Sequence, residues 1–158
     1  MIQRIQTIYL LISIACLSIV TFGRTVLVHF MGTTMENYEL TVYGIVNQEK
    51  IPLESGLNLP LYILSFLLIA LLLFTAFSFK NLKRQGLLIS ISIVLYALLI
   101  AAILAIYFLN NIKIEDLPAN AIISSGFYIL GIGLPALFLA NNGIKRDKKL
   151  IDSLNRLR

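Results

Sequence analysis

Four apolar runs, at residues 5–23, 59–79, 86–109 and 121–141, contain no Asp, Glu, Lys, Arg or His. An α-helix needs about 20 apolar residues to cross roughly 30 Å of hydrocarbon, and each run has about that length. The chain therefore reads as an integral membrane protein with four crossings. An intramembrane charge would usually mark an ion path, a proton relay or a substrate site. The runs hold none, so they argue for placement rather than for chemistry.

Of 158 residues, 58% are hydrophobic and 13% charged, which is too apolar for a soluble domain. What lies outside the runs is too divided to form a soluble domain of about 50 residues or more, so 1–158 is one membrane domain. The single cysteine, Cys16, sits in the middle of the first run. No intramolecular disulfide or thiol redox pair is possible, and Cys16 reads as a small packing residue.

The net charge is +5, and its meaning depends on where the charges lie. Four crossings return both termini and the loop between the second and third runs to one side. That side carries Arg4, Lys80, Lys83, Arg84, Lys145, Arg146, Lys148, Lys149, Arg156 and Arg158 against Asp147 and Asp152, a net +8. The other side has Arg24, Lys50 and Lys113 against Glu36, Glu39, Glu49, Glu54, Glu115 and Asp116, a net −3. Basic residues of short loops stay cytoplasmic, so both termini are expected inside. The basic balance is thus a topology signal, with attraction to anionic headgroups as a second role. No aromatic residue interleaves the basic cluster, and nucleic-acid binding is set aside. The first run is longer than the apolar segment of a signal peptide and ends in Thr21-Phe22-Gly23, a poor cleavage site, so it is expected to remain as a span.

Helices in lipid associate where small residues let backbones approach. The third run offers Ser90, Val94, Ala97, Ala101 and Ala105 on one face, and the fourth offers Gly133, Ala136, Ala140 and Gly143. These stripes are expected to be contact surfaces, either with each other or with a partner protein; the first is preferred because antiparallel neighbours joined by a short loop normally pack. Ser13, Ser18, Ser65, Thr75 and Ser78 can bond a carbonyl one turn back. Pro135 removes the backbone bond to Gly131 and points to a kink. Broken helices line transporter sites, but only the last run is interrupted and no repeated halves are visible.

The outer loop, 24–58, holds two β-branched and aromatic stretches, 25–30 and 39–46, around a turn-like interval, which predicts a small hairpin with Gly44 as a bulge. His29 is the sole histidine; without a second His or a Cys nearby, a metal site there is not expected. The loop glutamates read as a solvated acidic face or a partner surface. The tail, 142–158, places Leu150, Ile151, Leu154 and Leu157 on one stripe among Lys145, Arg146, Lys148, Lys149, Arg156 and Arg158. This predicts a basic amphipathic helix that lies on an anionic leaflet or docks on a cytoplasmic partner. No nucleophile–base pair, phosphate-binding loop or catalytic carboxylate pair is present, and no cofactor is implied.

The strings at 1–11, MIQRIQTIYLL, and at the C-terminus, LANNGIKRD and SLNRLR, resemble a family of small four-span Bacteroidetes proteins catalogued as a domain of unknown function. The tail departs from that family at Asn142, Lys148 and Asn155. The resemblance implies a bacterial inner-membrane protein with four helices and cytoplasmic ends, and brings no catalytic residues.

The sequence thus leads to an all-α membrane protein: a four-transmembrane-helix bundle with a hairpin-like outer loop and a basic C-terminal helix. The expected function is a non-enzymatic accessory or scaffold subunit whose partners are membrane lipids and other integral membrane proteins or further copies of itself. The alternative is a small transporter or lipid-handling protein using the Gly- and Pro-containing fourth helix. In a Cys16→Ala background, Ser55→Cys should react with a membrane-impermeant maleimide added to intact spheroplasts. Ser153→Cys should react only after lysis, and the reverse labelling pattern would invert the topology.

Overall fold

A computed structural model describes residues 5–31, 37–47, 61–78, 81–113 and 120–156. The elements are α1 (Ile5–Phe22), β1 (Val28–Met31), β2 (Asn37–Thr41), β3 (Gly44–Asn47), α2 (Leu61–Phe77), α3 (Leu82–Lys113), β4 (Asn120–Ile123) and α4 (Ser125–Arg156). Each helix packs on two others, α1 on α2 and α4, and α3 on α2 and α4. The helices thus form a closed ring. α3 and α4 are long and apolar enough to cross a membrane, whereas α1 and α2 are shorter apolar helices.

The inner stripes recur every three or four residues, as one helix face requires. α1 buries Gln6, Leu10, Ser13, Leu17, Val20 and Thr21; α3 buries Gln85, Ile89, Ser92, Tyr96, Leu99, Ile103 and Ile106. Hydroxyls on these faces bond backbone carbonyls, as expected for Ser13, Ser65 and Thr75. Ser65 reaches Tyr62 O at 2.9 Å, Thr75 reaches Leu71 O at 2.7 Å, and Ser92 reaches Leu88 O at 2.9 Å. The outward faces carry Leu11, Ile19, Leu67, Phe77, Leu87, Val94, Phe108, Ile132 and Leu139, all exposed. The bundle is therefore no less apolar outside than inside.

A four-stranded antiparallel sheet, in the order β3-β2-β1-β4, joins the bundle at the end where α1 and α3 finish. The expected hairpin exists as β1 and β2, with His29 opposite Glu39. The structure extends it in both directions. The stretch 39–46 is not one strand: it folds back through Val42 and Tyr43 into β3, with Thr41 opposite Gly44. Thr41 Oγ1 donates to Gly44 O at 3.0 Å and accepts from Tyr43 N at 3.3 Å, which holds this turn. Gly44, at φ 130°, closes the turn instead of forming a bulge.

Residues 121–123, which the sequence reads as the start of the fourth span, belong to β4. This strand pairs with β1, Val28 facing Ile123, and helix begins only at Ser125. A short apolar stretch reads equally as helix or strand, and here unpaired backbone on β1 decides it. Ser124 N and Gly126 N donate to Leu27 O at 2.9 Å and Val26 O at 3.1 Å, which carries the sheet directly into α4. A Cβ on Gly126 would stand 2.5 Å from Val26 O. Under the sheet, Leu27, Val28, Phe30, Leu40, Val42 and Ile45 join the same buried cluster as the helices.

A second correction concerns the tail. The basic segment is not a separate helix, because α4 runs unbroken from Ser125 to Arg156 through Pro135 and Gly143. At 1.5 Å per residue its 32 residues reach about 48 Å, well beyond roughly 30 Å of hydrocarbon. Gly143 lies against α1: a Cβ there would meet the Gln6 side chain.

Gly126→Ala should displace the junction of sheet and helix and lower stability by about 1–3 kcal/mol. Gly131→Ala, where a Cβ meets nothing within 4 Å, should be neutral or slightly stabilising. Thermal unfolding of the two variants in one detergent measures the difference.

Candidate functional site

One contact around Gly133 joins three of the helices. Tyr96, fully buried on α3, donates its hydroxyl to Leu130 O on α4 at 3.1 Å. Its ring occupies the space that a side chain at Gly133 would need: an added Cβ would lie 2.9 Å from the ring carbon bearing the hydroxyl, and closer still to the oxygen. From α1, Ser13 Oγ lies 2.9 Å from Gly133 O and 3.1 Å from Tyr9 O, so one proton serves two carbonyls. The bonded carbonyls, at 130 and 133, flank the position left without a backbone donor by Pro135.

The two small-residue stripes do not face one another. Gly133, Ala136 and Ala140 are buried, as contact residues should be, and this stripe meets Tyr96 of α3, Ser13 of α1 and, through Gly143, Gln6. Ala97, Ala101 and Ala105 lie on the exposed face of α3 together with Ser90 and Val94. The preferred pairing is thereby corrected: α3 turns Tyr96 and its large residues Leu99 and Ile103 inward, because a large residue fills the space opposite a glycine. Gly131 and Pro135 are also exposed, on the outward stripe of α4 with Tyr128, Ile132 and Phe138. They line no space between the helices, and the proline interrupts neither the helix nor its inner face.

At the end opposite the sheet, Gln6 Nε2 donates to Asp147 Oδ2 and ties the start of α1 to the extension of α4. Lys145, Arg146, Lys148 and Lys149 surround Asp147 and are exposed. Arg158 and the side chain of Arg156 lie outside the described residues. Gln85 Nε2 reaches Thr75 O at 3.4 Å, joining α3 to the last turn of α2. Gln6, Gln85 and Asn141 are all buried there, and an amide oxygen of each has no hydrogen-bond partner among the described residues. Between α2 and α3, Phe74, Phe77, Ser78, Asn81 and Arg84 line a recess of about 240 Å³, with the Arg84 guanidinium 5.2 Å from the centre of the Phe74 ring.

At the sheet end, Arg24, in left-handed conformation at φ 46°, stands 5.3 Å over the Tyr43 ring. Tyr43 stacks on Tyr62 of α2 at 6.1 Å and donates to Thr21 O at 3.0 Å. Phe22 meets Phe66 edge to face at 5.5 Å. These aromatic contacts fasten the β2–β3 turn to α1 and α2, and the spacing of strands alone does not reveal them. On the outer face of the sheet His29 Nδ1 is 3.5 Å from Glu39 Oε1, both side chains being 40% exposed. Among the described residues no three His, Cys, Asp or Glu side chains form a metal-binding group.

The fold and its contacts define a small, predominantly helical protein, capped by an antiparallel sheet, with two helices suited to crossing a membrane. The chain belongs to the family described as Domain of unknown function (DUF4293), which matches residues 2–157. No curated protein matches the sequence.

Gly133→Ala should cost about 1–3 kcal/mol, since Tyr96 must leave its place. Tyr96→Phe should cost about 0.5–1.5 kcal/mol through the lost bond to Leu130 O. The double variant should be less destabilised than the two costs combined, because removing the hydroxyl clears part of the space that the new methyl needs. Denaturant unfolding in mild detergent gives all three values.

Proposed function

We propose that this protein is a non-enzymatic accessory or scaffold subunit of a bacterial inner membrane, crossing it four times with both termini in the cytoplasm. The observation that carries the partner-binding reading is the outward face of α3. Ser90, Val94, Ala97, Ala101 and Ala105 form a low strip that none of the other three helices covers. Small strips of this kind let a second helix approach closely in lipid, where burial of apolar surface supplies little drive. The outer sheet, with His29 and Glu39 exposed, and the basic extension of α4 supply contacts on the two sides of the membrane.

Four crossings are supported by the distribution of side chains. Ser13 and Thr21 of α1, Ser65 and Thr75 of α2, Gln85 and Ser92 of α3 and Asn141 of α4 turn inward, while large apolar groups turn outward, as with Leu11 and Ile19 on α1 and Ile63 and Leu67 on α2. Water would disfavour so large an apolar exterior. α1 and α2, at 18 and 17 residues, are about 27 and 25 Å long, near the lower limit for a span. The rings of Tyr43, Tyr62, Phe22 and Phe66 gather at one end of these helices, a placement typical of the interface between membrane and water. The transporter reading finds no comparable support, because Gly131 and Pro135 face outward.

Co-purification from native membranes, with partners identified by mass spectrometry, tests the proposal. The triple variant Ala97→Leu, Ala101→Leu, Ala105→Leu should retain the fold and lose at least tenfold of the co-purified partner. Partner recovery unchanged by these substitutions, or a solitary monomer from wild-type membranes in every mild detergent, would overturn it.

A further inference from the structure

The recess between α2 and α3 combines aromatic, hydrogen-bonding and charged groups. Its walls are the rings of Phe74 and Phe77, the hydroxyl of Ser78, the side-chain amide of Asn81 and the guanidinium of Arg84. Phe77 is 76% exposed, the most open of the large apolar side chains among the described residues, and lies in the last turn of α2. Arg84 lies in the first turn of α3. A charged group and hydrogen-bonding groups thus meet aromatic rings where α2 ends and α3 begins.

Among the described residues the Arg84 guanidinium has no ion-pair partner. From Glu54 to Glu115 the sequence contains no acidic residue. Among the described residues the only ion pair is His29 with Glu39, in the sheet, while Asp147 is engaged by Gln6. Arg84 rests on the Phe74 ring, which leaves the edge of its guanidinium fork open to a planar or tetrahedral oxyanion. Neither the Ser78 hydroxyl nor the Asn81 amide is hydrogen-bonded among the described residues; at these positions only the backbone groups are engaged.

We propose that this recess holds the phosphodiester headgroup of one anionic glycerophospholipid, with an acyl chain lying along Phe77. A cavity of about 240 Å³ is smaller than the roughly 300–1,000 Å³ that enclose whole small-molecule ligands. It accommodates a phosphate and its glycerol link while the hydrocarbon stays outside, where the exposed phenylalanines offer an apolar surface. Arg84 pairs with the phosphate, and Ser78 and Asn81 donate to its oxygens. The aromatic rim selects a lipid over a free phosphate, because an inorganic anion leaves Phe77 in water. The proposal rests on the membrane placement given above, but not on the partner role or on which terminus faces inward.

Native mass spectrometry of the full-length protein, released from a delipidating detergent, tests the site with added phosphatidylglycerol, phosphatidylcholine and inorganic phosphate. Wild type is expected to retain one phosphatidylglycerol per chain at an affinity at least tenfold above that for phosphatidylcholine, with no competition from millimolar phosphate. Arg84→Gln should lose that preference at least tenfold, and Phe77→Ala should weaken retention of the lipid. Lys145→Gln with Lys149→Gln should leave it unchanged. Both Arg84 and Phe77 are exposed, and circular dichroism confirms that the variants fold. Retention unaltered by Arg84→Gln, loss only in the tail variant, equal binding of the two lipids, or displacement by phosphate would each overturn the proposal. The triple leucine variant of α3 separates the two ideas, since it should release partner proteins and keep the lipid.

Discussion

Everything in this fold depends on the crossing of α1, α3 and α4 around Gly133. Where the outside of a bundle is as apolar as the inside, burial alone gives helices little reason to prefer one neighbour over lipid. Close approach and a few polar bonds must then set the arrangement. Gly133 supplies the space, Tyr96 fills it and reaches Leu130 O, and Ser13 reaches Gly133 O from the opposite side. A residue with a side chain at 133 would separate all three helices. The same contact explains why the small strip of α4 is spent inside the protein while that of α3 remains outside.

The two ends of the bundle are finished by different means. At one end the backbone does the work: β4 adds to β1, and amides at 124 and 126 bond residues 27 and 26, so the sheet and α4 form one hydrogen-bonded body. Aromatic stacking of Tyr43 on Tyr62 attaches the far side of the sheet to α2. At the other end side-chain amides predominate, with Gln6 on Asp147 and Gln85 on Thr75 O. Charges cluster beyond that layer, on the extension of α4 and beside the α2–α3 recess. The functional reading follows this division, with protein contact along α3 and phosphate chemistry at the recess.

The individual residues show where sequence reasoning stopped. The stripe Gly133, Ala136, Ala140 was legible because small residues at helical spacing have one efficient use in a helix contact. Its partner was not, since a tyrosine in the middle of an apolar run carries no sign of the glycine it will meet. Residues 121–123 read as part of a span because their apolar character fits a strand and a helix equally. Only the open edge of β1, brought near by the packing of α1 and α4, favours the strand. The basic tail was legible as amphipathic, but not as a continuation of α4, along which Gly143 comes against Gln6 of α1.

By itself the sequence determined that apolar helices would dominate, that a β-rich loop would follow the first, and that basic residues would gather after the last apolar run. These are local or summed properties, set by side-chain transfer energies and the 3.6-residue period. Tertiary structure alone decided which small strip is covered, which edge receives β4, and that Phe74, Phe77 and Arg84 enclose one recess. Such features depend on the rotation of each helix about its axis and on distances between residues remote in the chain. In an apolar exterior, hydrophobic pattern leaves that rotation open, and the contact of Gly133 with Tyr96 settles it.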